Sequence, residues 1–145
     1  MGNKAANLKF SDIREGMVFS FEKTVEPSDV TDFARLTTDF SPLHVDFAYS
    51  QKTKFKKPVV HGMLAAGYFS ALIGMHCPGQ QSLYLSQTAS FREPVYPQDR
   101  LTVRGTVVQK SESIGVITIK TEILRGDRVV IDGEAKVKVM EMEDE

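Results

Sequence analysis

Residues 39–75 read DFSPLHVDFAYSQKTKFKKPVVHGMLAAGYFSALIGM, and the fold turns on how they are read. Pro42 biases Ser41 away from the helical region, so Asp39–His44 is expected to be an irregular turn projecting an acid and an imidazole from a rigid base. A basic connector follows, with Lys52, Lys54, Lys56 and Lys57 ahead of Pro58. Gly62–Met75 then carries no charged side chain. A helix that is apolar on every face is stable only when something wraps it. Gly67 and Gly74 inside it cost about 1 kcal/mol each relative to alanine, which predicts close approach of another backbone.

The chain downstream supplies a wrapper. From Ser82 the hydrophobic period becomes two: Leu83, Leu85, Ala89 and Phe91 alternate in one strand, and Leu101, Val103 and Val107 in the next. Ile117, Ile119 and Ile123 mark a third strand, and Val129, Ile131, Ala135, Val137 and Val139 a fourth. Pro94 with Pro97, Ser111–Ser113 and Gly126-Asp127 punctuate them. Upstream, Met17, Phe19, Phe21 and Val25 alternate as a half-buried strand, and Ser28 caps a helix whose face is Val30, Phe33, Ala34 and Leu36, ending near Thr38. Asp46 to about Thr53 adds a further helical turn. The class is α+β, a curled antiparallel sheet wrapped around a long buried central helix. Residues 1–9 form a loosely held start, 10–140 one domain, and 141–145 an acidic tail.

At 145 residues, one domain is large enough to bury ~70% of its unfolded surface. Eighteen basic residues against nineteen acidic leave a net charge of -1, which argues for neither nucleic acid nor an anionic membrane as partner. The single Cys77 excludes an internal disulfide, and with no leader pattern a reducing cytoplasm is expected. The apolar run Gly62–Met75 is shorter than the roughly 20 residues that span a bilayer. His44, His61, His76 and Cys77 do not form a zinc spacing, so no metal is expected.

Asp39-Phe40-Ser41-Pro42-Leu43-His44 followed by Pro58-Val59-Val60-His61-Gly62-Met63 resembles the MaoC-type (R)-specific enoyl-CoA hydratases, over about Phe10–Val139. The resemblance implies a single hot-dog fold and interconversion of trans-2-enoyl and (R)-3-hydroxyacyl thioesters without a cofactor. One departure stands out: the family often has Asn where this chain has Ser41. Hydration of an enoyl thioester needs a held water, a base, a proton delivered at C2 and donors facing the thioester oxygen. By resemblance Asp39 and His44 are the catalytic pair, Gly62 offers its N–H to the thioester oxygen, Ser70 lies near the pair, and His61 is a positioning residue.

Plainer roles stand beside these. Asp39 can cap a turn while His44 packs, Gly62 can serve helix-start geometry alone, and Ser70 can bond back to the preceding turn. Phe40, Tyr68, Phe69, Leu72 and Ile73 are candidates for an acyl tunnel or ordinary core. Lys54, Lys56, Lys57 and Arg92 are candidates for the carrier phosphates of coenzyme A or for acyl carrier protein, or simply solvated charge. A homodimer, joined at an exposed sheet edge, is implied by the resemblance. Two competing functions share the fold: an acyl-CoA thioesterase, disfavoured because Gly62–Met75 lacks a carboxylate, and a non-catalytic acyl-CoA binding module, disfavoured because Asp39 and His44 are both present.

Overall fold

A computed structural model describes residues 3–143; the first two and last two residues, which include the end of the acidic tail, lie outside the described residues. Strand β1 spans Val18–Thr24 and helix α1 spans Pro27–Thr37. Two short helices follow, α2 at Pro42–Val45 and α3 at Phe47–Gln51. The apolar segment gives α4 at Gly62–Ala66, α5 at Tyr68–Ala71 and a wider π turn at Leu72–His76. The remaining strands are β2 (Ser82–Gln87), β3 (Ser90–Phe91), β4 (Arg100–Ser111), β5 (Val116–Arg125) and β6 (Arg128–Val139). All pairings are antiparallel, in the order β1-β4-β5-β6-β2, with β3 also on β6.

The alternating residues of β4, β5 and β6 bury one face of this sheet against α4, α5 and the π turn. One core cluster joins Leu64, Ala65, Phe69 and Leu72 to Leu101, Val103, Ile123 and Ile131. A second joins Ile73 and Cys77 to Val107, Ile117, Ile119, Ala135 and Val137. Helix α1 lays Val30 into the first cluster, with Phe33 packed against it. It begins one residue before the expected cap: Pro27 takes the first helical position and the Glu26 N–H donates to Asp29 Oδ2 at 2.9 Å. It ends on Thr38 at φ 67.

The structure corrects several expectations. The central helix is interrupted at Gly67, whose N–H is shared between the Met63 and Leu64 carbonyls, and its last turn relaxes so that the Cys77 N–H reaches Leu72 O. It is not covered on every face: Met63 is 67% exposed, and Gly67 and Ser70 are open as well. Neither glycine serves close approach of a second strand, since a Cβ on Gly74 would meet nothing and one on Gly67 would meet carbonyls of its own helix. Leu83 and Leu85 point outward, because Tyr84 pairs with Val137 on the buried face while Leu83 pairs with Lys138 on the other. The strand expected across Leu83–Phe91 breaks between β2 and β3, where Thr88 O stands so close to Gly133 that a Cβ there would lie 1.8 Å away. The start of the chain is tied down over residues 6–8: the Ala6 N–H donates to Met75 O at 2.8 Å and the Leu8 N–H to Pro78 O at 3.0 Å.

Candidate active site

The loop after α1 is fixed by backbone and side-chain hydrogen bonds together. Asp39 Oδ1 accepts the Ser41 N–H at 3.1 Å, closing a turn that needs no help from the Ser41 hydroxyl. Ser41 thus supports the loop through its backbone N–H. Pro42 then opens α2 and places His44 on it. The Val59 N–H donates to Leu43 O at 3.1 Å, drawing residues 58–61 alongside this short helix. His44 Nδ1 lies 2.6 Å from Val59 O. A carbonyl can only accept, so Nδ1 carries a proton, and Nε2 is the nitrogen left to exchange one with a substrate or water.

His61 is 2% exposed and stacks on His44 with ring centroids 4.1 Å apart and planes inclined by 30°. Its Nε2–H donates to Asp39 O at 3.0 Å, which anchors the backbone of the acid. Its Nδ1 is buried and unpartnered among the described residues. An Asp39 carboxylate oxygen and ring nitrogens of His44 and His61 all lie within 4.8 Å of one another. His44 Nδ1 and His61 Nε2 are already engaged by backbone carbonyls, which leaves one ring nitrogen of each histidine and the Asp39 carboxylate as the atoms that could meet an ion. His76 is elsewhere, stacked on Phe21, and burial pushes the Cys77 thiol up to about 11, which leaves it no nucleophile.

Beside the pair, α4 begins. Leu64 and Ala65 both donate to His61 O, and the N–H groups of Gly62 and Met63 have no acceptor among the described residues. His44 and Gly62 open onto one cleft of 540 Å³, walled by Phe55, Val59, Val60, Phe91, Pro94, Val95 and Ile131. Lys54 and Arg92 stand at this cleft; Lys56 and Lys57 do not line it, and Lys57 Nζ lies over the Tyr96 ring at 4.2 Å. Arg92 is partly engaged by Asp132, Nη2 to Oδ1 at 3.1 Å.

The expected tunnel residues are placed differently. Phe69, Leu72 and Ile73 are fully buried core, and Phe40 is 59% exposed on the loop. Tyr68 faces a separate cleft beside α1, where burial and then the Asp29 charge push its hydroxyl up to about 12. Ser70 is exposed; its backbone N–H donates to Gly67 O at 3.0 Å, and its hydroxyl makes no hydrogen bond to the pair among the described residues. Eight residues of helix carry it about 12 Å along the axis from Gly62. The walls of the cleft come from four separate segments with no shared period, so no local pattern marks them; Pro58 and Pro94, each followed by valine, are the one local signal.

The MaoC-like domain model matches residues 9–127. An (R)-specific enoyl-CoA hydratase of Rhodospirillum rubrum is 40% identical over 130 residues, covering 90% of each chain. Another of that name from Aeromonas caviae is 39% identical over 125 residues, covering 86% of this chain and 93% of its own. The solved structure of the unliganded R-hydratase PhaJ1 from Pseudomonas aeruginosa superimposes with a TM-score of 0.88 at 28% identity, over 97% of this chain and 95% of that one. The sheet curled over an apolar helix is therefore the hot-dog fold of these hydratases, and the chain belongs to the MaoC-like dehydratase family.

Proposed function

We infer that this chain is an (R)-specific enoyl-CoA hydratase, a hydro-lyase interconverting trans-2-enoyl-CoA and (R)-3-hydroxyacyl-CoA. The observation that carries the reading is the approach of an Asp39 carboxylate oxygen to a His44 ring nitrogen within 4.8 Å, with His44 and the start of α4 at Gly62 opening onto one largely apolar cleft. A water gripped by Asp39 and His44 loses a proton to the pair as its oxygen bonds to C3. The C2–C3 π electrons move toward the thioester oxygen, where the Gly62 N–H stabilises the developing enolate. Collapse of the enolate takes a proton at C2. His44 holds its own proton on Nδ1 against Val59 O, so the proton delivered is the one the water surrendered. Atoms balance as one water added across C2–C3, and dehydration runs the same path backward.

His61 positions Asp39 through its backbone carbonyl and His44 through stacking. The apolar walls accept the acyl chain, and Lys54 with Arg92 at the cleft favours a carrier bearing phosphates. A homodimer is supported by the free edge of β2, where Leu83 and Leu85 are exposed, and by the uncovered helical face of Met63, Gly67 and Ser70. Among the described residues no helix is long and apolar enough to cross a membrane. A buried free cysteine accords with a cytoplasmic setting. Incubation with crotonyl-CoA, followed by chiral separation of the 3-hydroxybutyryl product, tests the activity: the (R) isomer is expected, and no hydration or the (S) isomer would overturn the reading.

A further inference from the structure

Phe91 lies directly against Gly62, the first residue of α4. A Cβ built on Gly62 would lie 2.8 Å from Phe91 Cε1 and 2.9 Å from Cδ1, so the ring rests on the glycine itself. Both residues open onto the cleft that contains His44. The backbone under the ring is tightly held: Phe91 pairs with Ile131, and the Arg92 N–H donates to Val130 O at 2.8 Å. The placement begins three residues earlier, where Thr88 passes against Gly133 and exchanges bonds with Glu134, its N–H donating to Glu134 O at 2.9 Å and its Oγ1 accepting the Glu134 N–H at 3.0 Å. The strand break there is what turns Phe91 toward α4. Its ring nevertheless remains 51% exposed, although Ile131 opposite is buried.

We propose that Phe91 is a specificity-determining wall of the thioester slot, covering the bound thioester beside Gly62 and keeping water off the forming enolate. The proposal rests on Gly62 as the donor to the thioester oxygen. Any oxygen accepting from that N–H sits within reach of the ring, so a bound acyl thioester covers the exposed half of Phe91 as Phe91 covers it. An apolar wall beside the donor strengthens its hydrogen bond to developing charge by excluding competing water. A side chain at position 62 would meet the Phe91 ring at 2.8 Å and displace it.

The test is a double-mutant cycle on crotonyl-CoA hydration and on thermal unfolding, with Gly62→Ala, Phe91→Ala and the combination. Phe91→Ala is expected to lower kcat/KM about tenfold, with kcat falling because water reaches the forming enolate and KM rising because the thioester loses its cover, and with Tm little changed because the residue is half exposed. Phe91→Leu should recover part of that loss. Gly62→Ala alone is expected to lower both Tm and activity, and the Tm loss should largely disappear in the Phe91→Ala background. Unchanged kcat and kcat/KM in Phe91→Ala, or the same Gly62→Ala penalty with and without the ring, would overturn the proposal. Should the parent protein hydrate no enoyl-CoA, the functional reading fails instead, while the Tm cycle still reports whether ring and glycine touch.

Discussion

Arg125→Met tests whether the acid/base loop is held from the far side of the cleft. Arg125 Nη1 donates to Pro94 O and to Asp99 Oδ2, each at 2.8 Å, and Nη2 donates to Glu93 Oε2 at 3.3 Å. These bonds fasten residues 93–99 to β5. From there Val95 O accepts the Val60 N–H at 2.7 Å, and the neighbouring Val59 O accepts His44 Nδ1–H. Methionine keeps much of the stem and removes the fork. Asp99 still caps the Tyr96 N–H and Glu93 keeps Arg128, so neither carboxylate is orphaned. The carbonyl of Pro94 loses a charged donor, worth about 1.5 kcal/mol, and the two half-screened ion pairs add up to about 1 kcal/mol between them. A total of about 2–3 kcal/mol corresponds to a Tm lowered by about 5–10 °C in a domain of this size. Because the loosened segment supports the carbonyl that fixes the His44 tautomer, kcat should also fall about tenfold. Calorimetry and crotonyl-CoA kinetics on the same preparation decide it. A Tm shift below about 1 °C with unchanged kcat would refute the argued linkage from Arg125 to His44.

Three further outcomes are expected. Gly133→Ala places a methyl on Thr88 O, so it should cost more than the about 1–3 kcal/mol usual for overpacking, read as a large drop in the urea midpoint, and should reduce activity by displacing Phe91. Cys77 has its thiol pushed by burial from 9.0 to about 11, so the folded protein holds that proton after the unfolded chain has lost it. Its contribution to stability is complete below pH 9 and is lost as pH climbs toward 11; a Cys77→Ala variant should show a flatter decline of the urea midpoint over that window, and alkylation of the native thiol at pH 8 should be far slower than in urea. Leu83→Glu combined with Leu85→Glu should convert a dimer to a monomer in light scattering while leaving far-UV dichroism intact, since both side chains face outward from β2.

The parts legible in the sequence were those whose period survives folding. Leu101, Val103 and Val107, like Ile117, Ile119 and Ile123, are all buried, in one or the other of the two core clusters, so alternation alone located β4 and β5. Asp39 and His44 were singled out through the resemblance carried by two contiguous motifs; the irregular turn expected over Asp39–His44 is realised only as far as Ser41, because Pro42 takes the first position of α2. Leu83 and Leu85 misled because an apolar alternation is the same whether it faces a core or an uncovered surface; only the pairing of Tyr84 with Val137 decides the side. The uncharged helix misled for a similar reason, since the absence of charge does not require cover, and Met63 stands open. The cleft was invisible because His44, Gly62, Phe91 and Ile131 meet only through tertiary pairing. Likewise the contact between Phe91 and Gly62 depends on a strand break at Thr88 that no local composition announced.

The central claim is that Asp39 and His44 together activate the water. Its most direct measurement is the initial rate of absorbance loss at the enoyl-thioester band of crotonyl-CoA for the parent, Asp39→Asn and His44→Ala, with Tm recorded for each. Each substitution is expected to lower kcat by about 10²–10⁴ while Tm stays near that of the parent, since Asp39 is exposed and His44 only half-buried. Full activity in either folded variant would contradict it.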